Sequence, residues 1–92
     1  MSDEHLITEN PRIKDSICVE RFSEKMNAKL FKNRFKAHWS TVPQSYLLER
    51  LKEELVELEE ALREGVGIES ECADVANFAM MIADNAEYGE TK

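Results

Sequence analysis

Five acidic residues stand in two short groups that could share one chemical task. Glu53, Glu54 and Glu57 form the first group, and after an interval of thirteen residues Glu71 and Asp74 form the second. The second group lies in a segment that is otherwise almost entirely apolar. Two neighbouring carboxylates repel each other there and are costly to bury without a partner. A positive charge must therefore face them.

Helical geometry predicts that the two groups meet. On a helix turning about 100° per residue, Glu54 falls on the flank of a leucine seam, Glu57 lies further round, and Glu53 points away from it. If the helices that carry the two groups run antiparallel, Glu54 and Glu57 face Glu71 and Asp74. Four carboxylates around one point suit Mg²⁺ or Mn²⁺. Zinc is disfavoured because no His or Cys set lies nearby, and the Glu-x-x-His pairs of di-iron bundles are missing.

Three helices are predicted to carry these residues. The first should begin near Asp15 or Ser16, either of which can act as an N-cap, and run to about Phe35 or as far as His38. Residues 1–13 are then an N-terminal arm without chemistry, and residues 14–92 form a single domain.

Glycine and proline mark the limits of the other two helices. The second should be capped by Thr41, carry Pro43 in its first turn and run to residue 64, where Gly65 and Gly67 stop it. The third should begin at residue 69 or 70 and end before Gly89.

The apolar pattern predicts that this chain has partners. Leucines repeat at spacings of three and four along the second helix and make one seam that should be buried, and the third helix is apolar on almost every side. Three helices in 92 residues can hardly enclose both. We therefore expect an all-α chain that assembles as a homodimer or homotetramer into a four-helix-bundle-like core. The leucines are Leu48, Leu51, Leu55, Leu58 and Leu62.

Composition narrows the class of protein further. The net charge of −7 argues against general binding to nucleic acid. No apolar run is long enough to span a membrane. The first residues lack the basic and apolar segments of a signal peptide, which favours a cytoplasmic location. Cys18 and Cys72 are expected to be reduced thiols, with Cys72 packed in a core.

Charge is distributed unevenly along the chain. Residues 14–39 hold seven Lys or Arg against three Asp or Glu, and residues 40–92 hold four against thirteen. The basic side chains could bind phosphate or could form a solvated basic face. Trp39 could stack on a base or anchor a core, and Asn77 could bond a sugar hydroxyl or a buried polar group. The basic cluster comprises Lys29, Lys32, Arg34 and Lys36.

The acidic spacing resembles a known signature. Glu53-Glu54-Leu55-Val56-Glu57, thirteen residues, then Glu71-Cys72-Ala73-Asp74 is similar to the EExxE…ExxD motif of MazG-like nucleotide pyrophosphohydrolases, in the all-α NTP pyrophosphatase superfamily. The segment Met26-x-x-Lys29-Leu30-x-x-Asn33-Arg34-x-Lys36-x-x-Trp39 resembles the first helix of small members. Residues 73–82 resemble their third helix, so the resemblance covers about residues 16–88.

The resemblance implies a Mg²⁺-dependent hydrolase that cleaves nucleoside triphosphates, often deoxy forms, between the α and β phosphates. Carried over by motif position, Glu54, Glu57, Glu71 and Asp74 would be the metal ligands, and Glu53 would support them or orient the attacking water. Many members have a further helix after the third. Here either another subunit completes the bundle or that part of the site is reduced. The implied substrate-binding residues are Lys29, Asn33, Lys36, Trp39 and Asn77.

Two other classes of function compete with this one. A non-enzymatic helical protein that oligomerises for interaction, or that senses metal or nucleotide, explains the leucine seam and the apolar third helix. It gives no reason for Glu71 and Asp74 within that helix. A nucleic-acid-binding helical module would use the basic first helix, but the net charge of −7 disfavours it.

Overall fold

Three long helices make up the fold in the computed structural model, which describes residues 10–33 and 38–90. Helix α1 spans Pro11–Lys32, helix α2 spans Gln44–Glu64 and helix α3 spans Ile68–Tyr88, with a short 3₁₀ turn at Trp39–Thr41. The described residues contain no strand. The all-α prediction is therefore confirmed for this part of the chain. None of its helices is long and apolar enough to cross a membrane.

The start of α1 corrects the first helix boundary. The helix begins at Pro11, not near Asp15 or Ser16, because the side chain of Asn10 accepts a hydrogen bond from the backbone N–H of Arg12. Proline fits the first turn because it has no N–H to satisfy there. Residues 11–13, predicted as part of the arm, are thus helical.

The end of α1 also differs from its prediction. The helix stops at Lys32 and is capped by Asn33, short of Phe35. His38 is not its last residue but the N-cap of the 3₁₀ turn, where its side chain accepts from the N–H of Ser40. Phe35 itself lies outside the described residues.

The boundaries of α2 and α3 are closer to prediction. Helix α2 ends at Glu64, where Gly65 adopts a left-handed conformation with φ of 73° and its N–H bonds the carbonyl of Ala61. Its start lies two residues later than predicted, because Pro43 and not Thr41 occupies the N-cap position. Helix α3 begins at Ile68, one residue early, and ends before Gly89 as expected.

Helix α3 lies at the centre of the fold. Both α1 and α2 pack against it, whereas the backbones of α1 and α2 do not approach each other over the described residues. The core is small and is formed by Leu47, Phe78 and Met81. Helices α2 and α3 run antiparallel, so the middle of α2 faces the first half of α3. Part-buried apolar residues surround this core: Leu30, Trp39, Val42, Leu51, Met80 and Ile82.

The face that α2 buries is a correction to the leucine prediction. Its buried residues are Leu47, Glu54 and Ala61, spaced seven apart. Leu48, Leu55 and Leu62 are exposed. The predicted seam is thus turned by about 80° from the face that α2 presents to α3. Only Leu51 and Leu58 of this seam are partly buried by the described part of the chain.

The segment between α1 and α2 is tied to the end of α3. The indole N–H of Trp39 donates to the Asp84 carboxylate at 2.9 Å. The side-chain amide of Asn85, which is fully buried, donates to the carbonyls of Trp39 at 2.7 Å and Val42 at 3.0 Å. The part-buried carbonyls of Trp39 and Val42 thereby gain a hydrogen-bond donor. We refer to the contacts of Trp39, Val42, Asp84 and Asn85 as the C-terminal clamp.

Candidate functional site

A cleft of about 340 Å³ opens between α1 and α2, with α3 as its floor. It can form because α1 and α2 both pack on α3 without closing on each other. Its volume falls within the range of small-molecule sites. Its lining mixes charged, amide and apolar side chains: Lys29, Leu30, Asn33, Arg50, Glu54, Asp74, Asn77, Phe78 and Met81.

Three carboxylates converge at this cleft. Glu54 comes from α2, and Glu71 and Asp74 come from one turn of α3. One oxygen of each lies within 4.8 Å of the others. Glu54 is only 6% exposed. One oxygen of Glu54 and one of Glu71 are buried with no hydrogen-bond donor in reach among the described residues. Buried carboxylates are normally paired, so these two oxygens lack the partner that their burial calls for.

Glu57, the fourth predicted ligand, lies beside this cluster. Its side chain is exposed, yet its carboxyl is close enough to hydrogen-bond those of Glu54 and Glu71 when a proton is shared. The sequence thus predicts correctly that the acids of α2 and α3 approach each other. The three that converge most closely are Glu54, Glu71 and Asp74.

Two cations partly balance the acids. The Lys29 ammonium lies 3.1 Å from the Asp74 carboxylate and donates to the Ser70 hydroxyl at 3.0 Å. The Arg50 guanidinium lies 2.9 Å from Glu54 and stacks over the Phe78 ring at 5.1 Å from its centroid. No ion pair to Glu71 is found in the described part of the chain. With all four acids ionised, the two cations would leave the cluster with an excess of negative charge.

The proton affinities of the buried acids reflect this imbalance. Burial raises the pKa of Glu54 to about 7, and the hydrogen bond with Glu57 and repulsion by Glu57 and Asp74 add to it against the attraction of Arg50. Burial also raises the pKa of Glu71, again with repulsion from Glu57 and Asp74. A carboxyl with a raised pKa gains from any added positive charge, because that charge stabilises its ionised form.

The donor set fits a hard divalent cation. It offers only carboxylate oxygens, and two of those oxygens have no donor. Mg²⁺ and Mn²⁺ favour such ligands, whereas zinc favours His and Cys. Neither His nor Cys belongs to the group of Glu54, Glu71 and Asp74.

Glu53 stands apart from the cluster. It is exposed and forms an ion pair with Arg50 on the outer side of α2. Its position next to Arg50 makes it a support for that guanidinium rather than a member of the acidic group.

The structure places the predicted substrate-binding residues at different depths. Lys29, Asn33 and Asn77 line the cleft. Asn77 is 3% exposed, and its amide donates to the carbonyl of Met26 at 3.0 Å, while its side-chain oxygen is buried without a donor in the described residues. Trp39 packs against the core and bonds Asp84, away from the cleft lining. Lys36 lies outside the described residues.

Arg50 is the cleft residue that the sequence reasoning missed. The candidate cations predicted from the sequence all lie between residues 29 and 36, whereas Arg50 lies on α2. A signal was present, because Arg50 stands three and four residues before Glu53 and Glu54, the spacing at which helical side chains meet. Cys72, predicted to be packed in a core, is only partly buried, and Cys18 is exposed; both are free thiols.

Comparison with known proteins adds no further assignment: no protein-family model, curated protein or solved structure matches this chain. The likeness to MazG-like proteins therefore depends on the residues and spacings quoted above.

Proposed function

We propose that this chain is a Mg²⁺-dependent nucleoside triphosphate pyrophosphohydrolase that yields a monophosphate and pyrophosphate. The observation that carries the proposal is the convergence of Glu54, Glu71 and Asp74, with two buried oxygens left without a donor, at the edge of a cleft of ligand size. The motif spacing that resembles MazG-like enzymes supports the same reaction.

The four acids would hold the metal: Glu54, Glu71 and Asp74 directly, with Glu57 beside them. Bound there, Mg²⁺, or Mn²⁺ in its place, would supply charge stabilisation to phosphate oxygens and a more acidic water. Glu54 and Glu71 gain most from its charge, since each has a buried oxygen without a donor.

Lys29 and Arg50 supply positive charge on opposite walls of the cleft. Both now bond acids of the cluster. When those acids are neutralised by another cation, both side chains are suited to bind phosphate oxygens of the substrate. Glu53 holds Arg50 from the outer side of α2 and so positions its guanidinium.

The rest of the nucleotide would occupy the apolar and amide part of the cleft. Asn77 presents a buried oxygen without a donor, which can accept a hydrogen bond from a sugar hydroxyl. Phe78 contributes an apolar surface near Arg50, and Asn33 lies at the end of α1 on the same cleft. Trp39 is held by the C-terminal clamp and would act through the core rather than on a base.

Assembly belongs to the proposal as well. We propose that the chain acts as a homodimer or homotetramer, because α2 leaves Leu48, Leu55 and Leu62 exposed. The acids of the site all come from one chain, so each subunit would hold its own site.

Product analysis tests the proposed reaction. The protein is incubated with Mg²⁺ and a panel of ribo- and deoxynucleoside triphosphates, and monophosphate plus pyrophosphate is separated from diphosphate plus phosphate. We expect the first product pair. Glu71→Gln should abolish it, whereas Glu69→Gln, an exposed acid on the same helix, should retain it.

Two outcomes would contradict the proposal. Diphosphate and phosphate as products would assign a different reaction. No turnover of any triphosphate by a folded protein that still binds Mg²⁺ would favour the metal- or nucleotide-sensing class.

A further inference from the structure

One face of α2 carries leucines that the described chain covers only in part. Leu48, Leu51, Leu55, Leu58 and Leu62 alternate at spacings of three and four, which is the repeat of a coiled-coil seam. We call them the leucine face. Leu48 is 45% exposed, Leu55 42% and Leu62 59%, whereas Leu51 and Leu58 are partly buried. The face extends over about 21 Å of helix at 1.5 Å per residue.

The leucine face is separate from the acidic cleft. On α2 the residues that contact the cleft are Arg50 and Glu54. The leucines lie on the side of Glu54 that is opposite to Arg50, about 80° round the helix from the buried row. A partner on the leucine face would therefore leave the cleft open.

Two charges indicate which partner fits this face. Lys52 and Glu59 are both exposed and lie seven residues apart. They lie on the flank of the leucine face that points away from α3, which we call the outer flank; the flank nearer α3 is the inner flank. The inner flank is already packed against α3 through Leu47, Glu54 and Ala61. A second α2 that runs antiparallel about a two-fold axis places Lys52 of each copy opposite Glu59 of the other. Its leucines then alternate with those of the first copy.

The parallel arrangement lacks this complementarity. In a parallel pair, outer-flank residues of one helix face inner-flank residues of the other. Glu59 would then approach Glu54 of the second copy, and Lys52 would approach Leu47. Like charges that face each other are destabilising, so the charge pattern favours the antiparallel pair.

We propose that the leucine face of α2 is the interface of an antiparallel homodimer, with two symmetric Lys52–Glu59 pairs at its edge. A second copy of this chain would cover the leucines and pair both charges, so no other partner is needed for this face. This inference names the contact for the assembly proposed above and is independent of the hydrolase activity.

The test is the mass of the full chain in solution, measured by light scattering at micromolar concentrations. The wild type should have twice the mass of one chain. Leu55→Lys should have the mass of one chain, and Val56→Lys should remain a dimer, because Val56 is comparably exposed but lies off the leucine face. Leu62→Lys provides a second variant at the most exposed of these leucines, and circular dichroism confirms that each variant is helical.

Charge exchange tests the orientation. Lys52→Glu and Glu59→Lys should each weaken the dimer, raising its dissociation constant by at least about tenfold, because each places like charges opposite each other. The double variant should restore it, since the exchanged pair has the same complementarity. A double variant as weak as the single variants would overturn the antiparallel arrangement.

The remaining outcomes separate this inference from the proposed function. A monomeric wild type, or a Leu55→Lys protein that stays dimeric, overturns the interface and leaves the hydrolase proposal standing. An inactive protein that dimerises as described does the reverse.

Discussion

Two faces of the same helix invert the usual distribution of residues. Towards α3, helix α2 buries the carboxylate of Glu54, and about 100° round it exposes Leu48, Leu55 and Leu62 to solvent. Charged side chains are seldom buried and large apolar ones seldom form a continuous exposed row. Each face lacks a partner that it needs. The acids need a further cation, and the leucines need an apolar surface. The comparison separates the face that we propose for chemistry from the face that we propose for assembly.

The largest expected effect is the loss of turnover when the acidic face is altered. Glu71→Gln should lower kcat at least about 100-fold, since it removes a charge that holds the catalytic cation and so stabilises the transition state, a loss of about 3 kcal/mol. Leu62→Gln on the other face should leave kcat per chain within about twofold, because its side chain is far from the substrate. Steady-state kinetics of pyrophosphate release measures both.

An equal loss in the two variants would contradict this separation. It would mean that the site needs a second subunit in addition to the acids of its own chain.

The next effect concerns the proton affinity of Glu54. Its pKa is about 7 in the folded chain and lower in the unfolded one, so the folded state binds the proton more tightly. The stability this proton provides is complete below the ordinary carboxyl pKa and is lost as the pH rises through about 7. Without metal, Glu54→Gln should therefore be more stable than the wild type near pH 8, by about 1–3 kcal/mol.

Urea denaturation in EDTA checks this expectation. Near pH 5 the two proteins should differ little. Glu53→Gln is the matched control, because Glu53 also bonds Arg50 but is exposed. A Glu54→Gln protein that is less stable near pH 8 would show that Glu54 contributes more through Arg50 than it costs by burial.

Metal binding should give a smaller stabilisation. At about ten times its dissociation constant, Mg²⁺ stabilises the folded chain by about 1.4 kcal/mol, which raises the Tm of a domain of this size by about 5–10 °C. Thermal unfolding with and without Mg²⁺ measures the shift. It should disappear in Glu71→Gln and persist in Leu62→Gln. A wild-type protein whose Tm is unchanged by both Mg²⁺ and Mn²⁺ would contradict the proposed metal site.

The smallest effect concerns the cation on the α1 side of the cleft. Lys29→Met should lower the free energy of unfolding by about 1 kcal/mol, because the part-buried pair with Asp74 is lost. Lys32→Met is the control on the same helix, since Lys32 is exposed and should cost almost nothing. Equal stability of the two variants would show that Lys29 adds no net stability through Asp74.

Much of this arrangement is readable from the sequence, for local reasons. Gly65 and Gly89 end α2 and α3 where predicted, and the acidic spacing correctly brings α2 and α3 acids together. The leucines were placed wrongly because periodicity locates an apolar stripe but not the neighbour that covers it. The row actually buried, Leu47, Glu54 and Ala61, includes a charge, which no apolar pattern could select.

Other features depend on tertiary contacts. The sequence leaves Trp39 either to stack on a base or to anchor a core; it packs against the core, and its indole is engaged by Asp84, forty-five residues further along the chain. Arg50 was overlooked because its role comes from Glu54 and Phe78 together, on two different helices. The early start of α1 differs from these features, because it follows from a local signal: Asn10 stands directly before Pro11.

The C-terminal clamp has a consequence for how α1 is retained. Helix α1 has no buried residue among those described, so it is held to α3 by part-buried contacts such as those of Lys29 with Asp74 and of Met26 with Asn77. The clamp fixes the chain from Trp39 onward to the end of α3, and only residues 34–37 and His38 separate that point from Asn33. Because α1 is joined through this short segment to a fixed point on α3, it meets α3 at a high effective concentration. Even modest contacts then suffice to hold α1 against α3 beside the cleft.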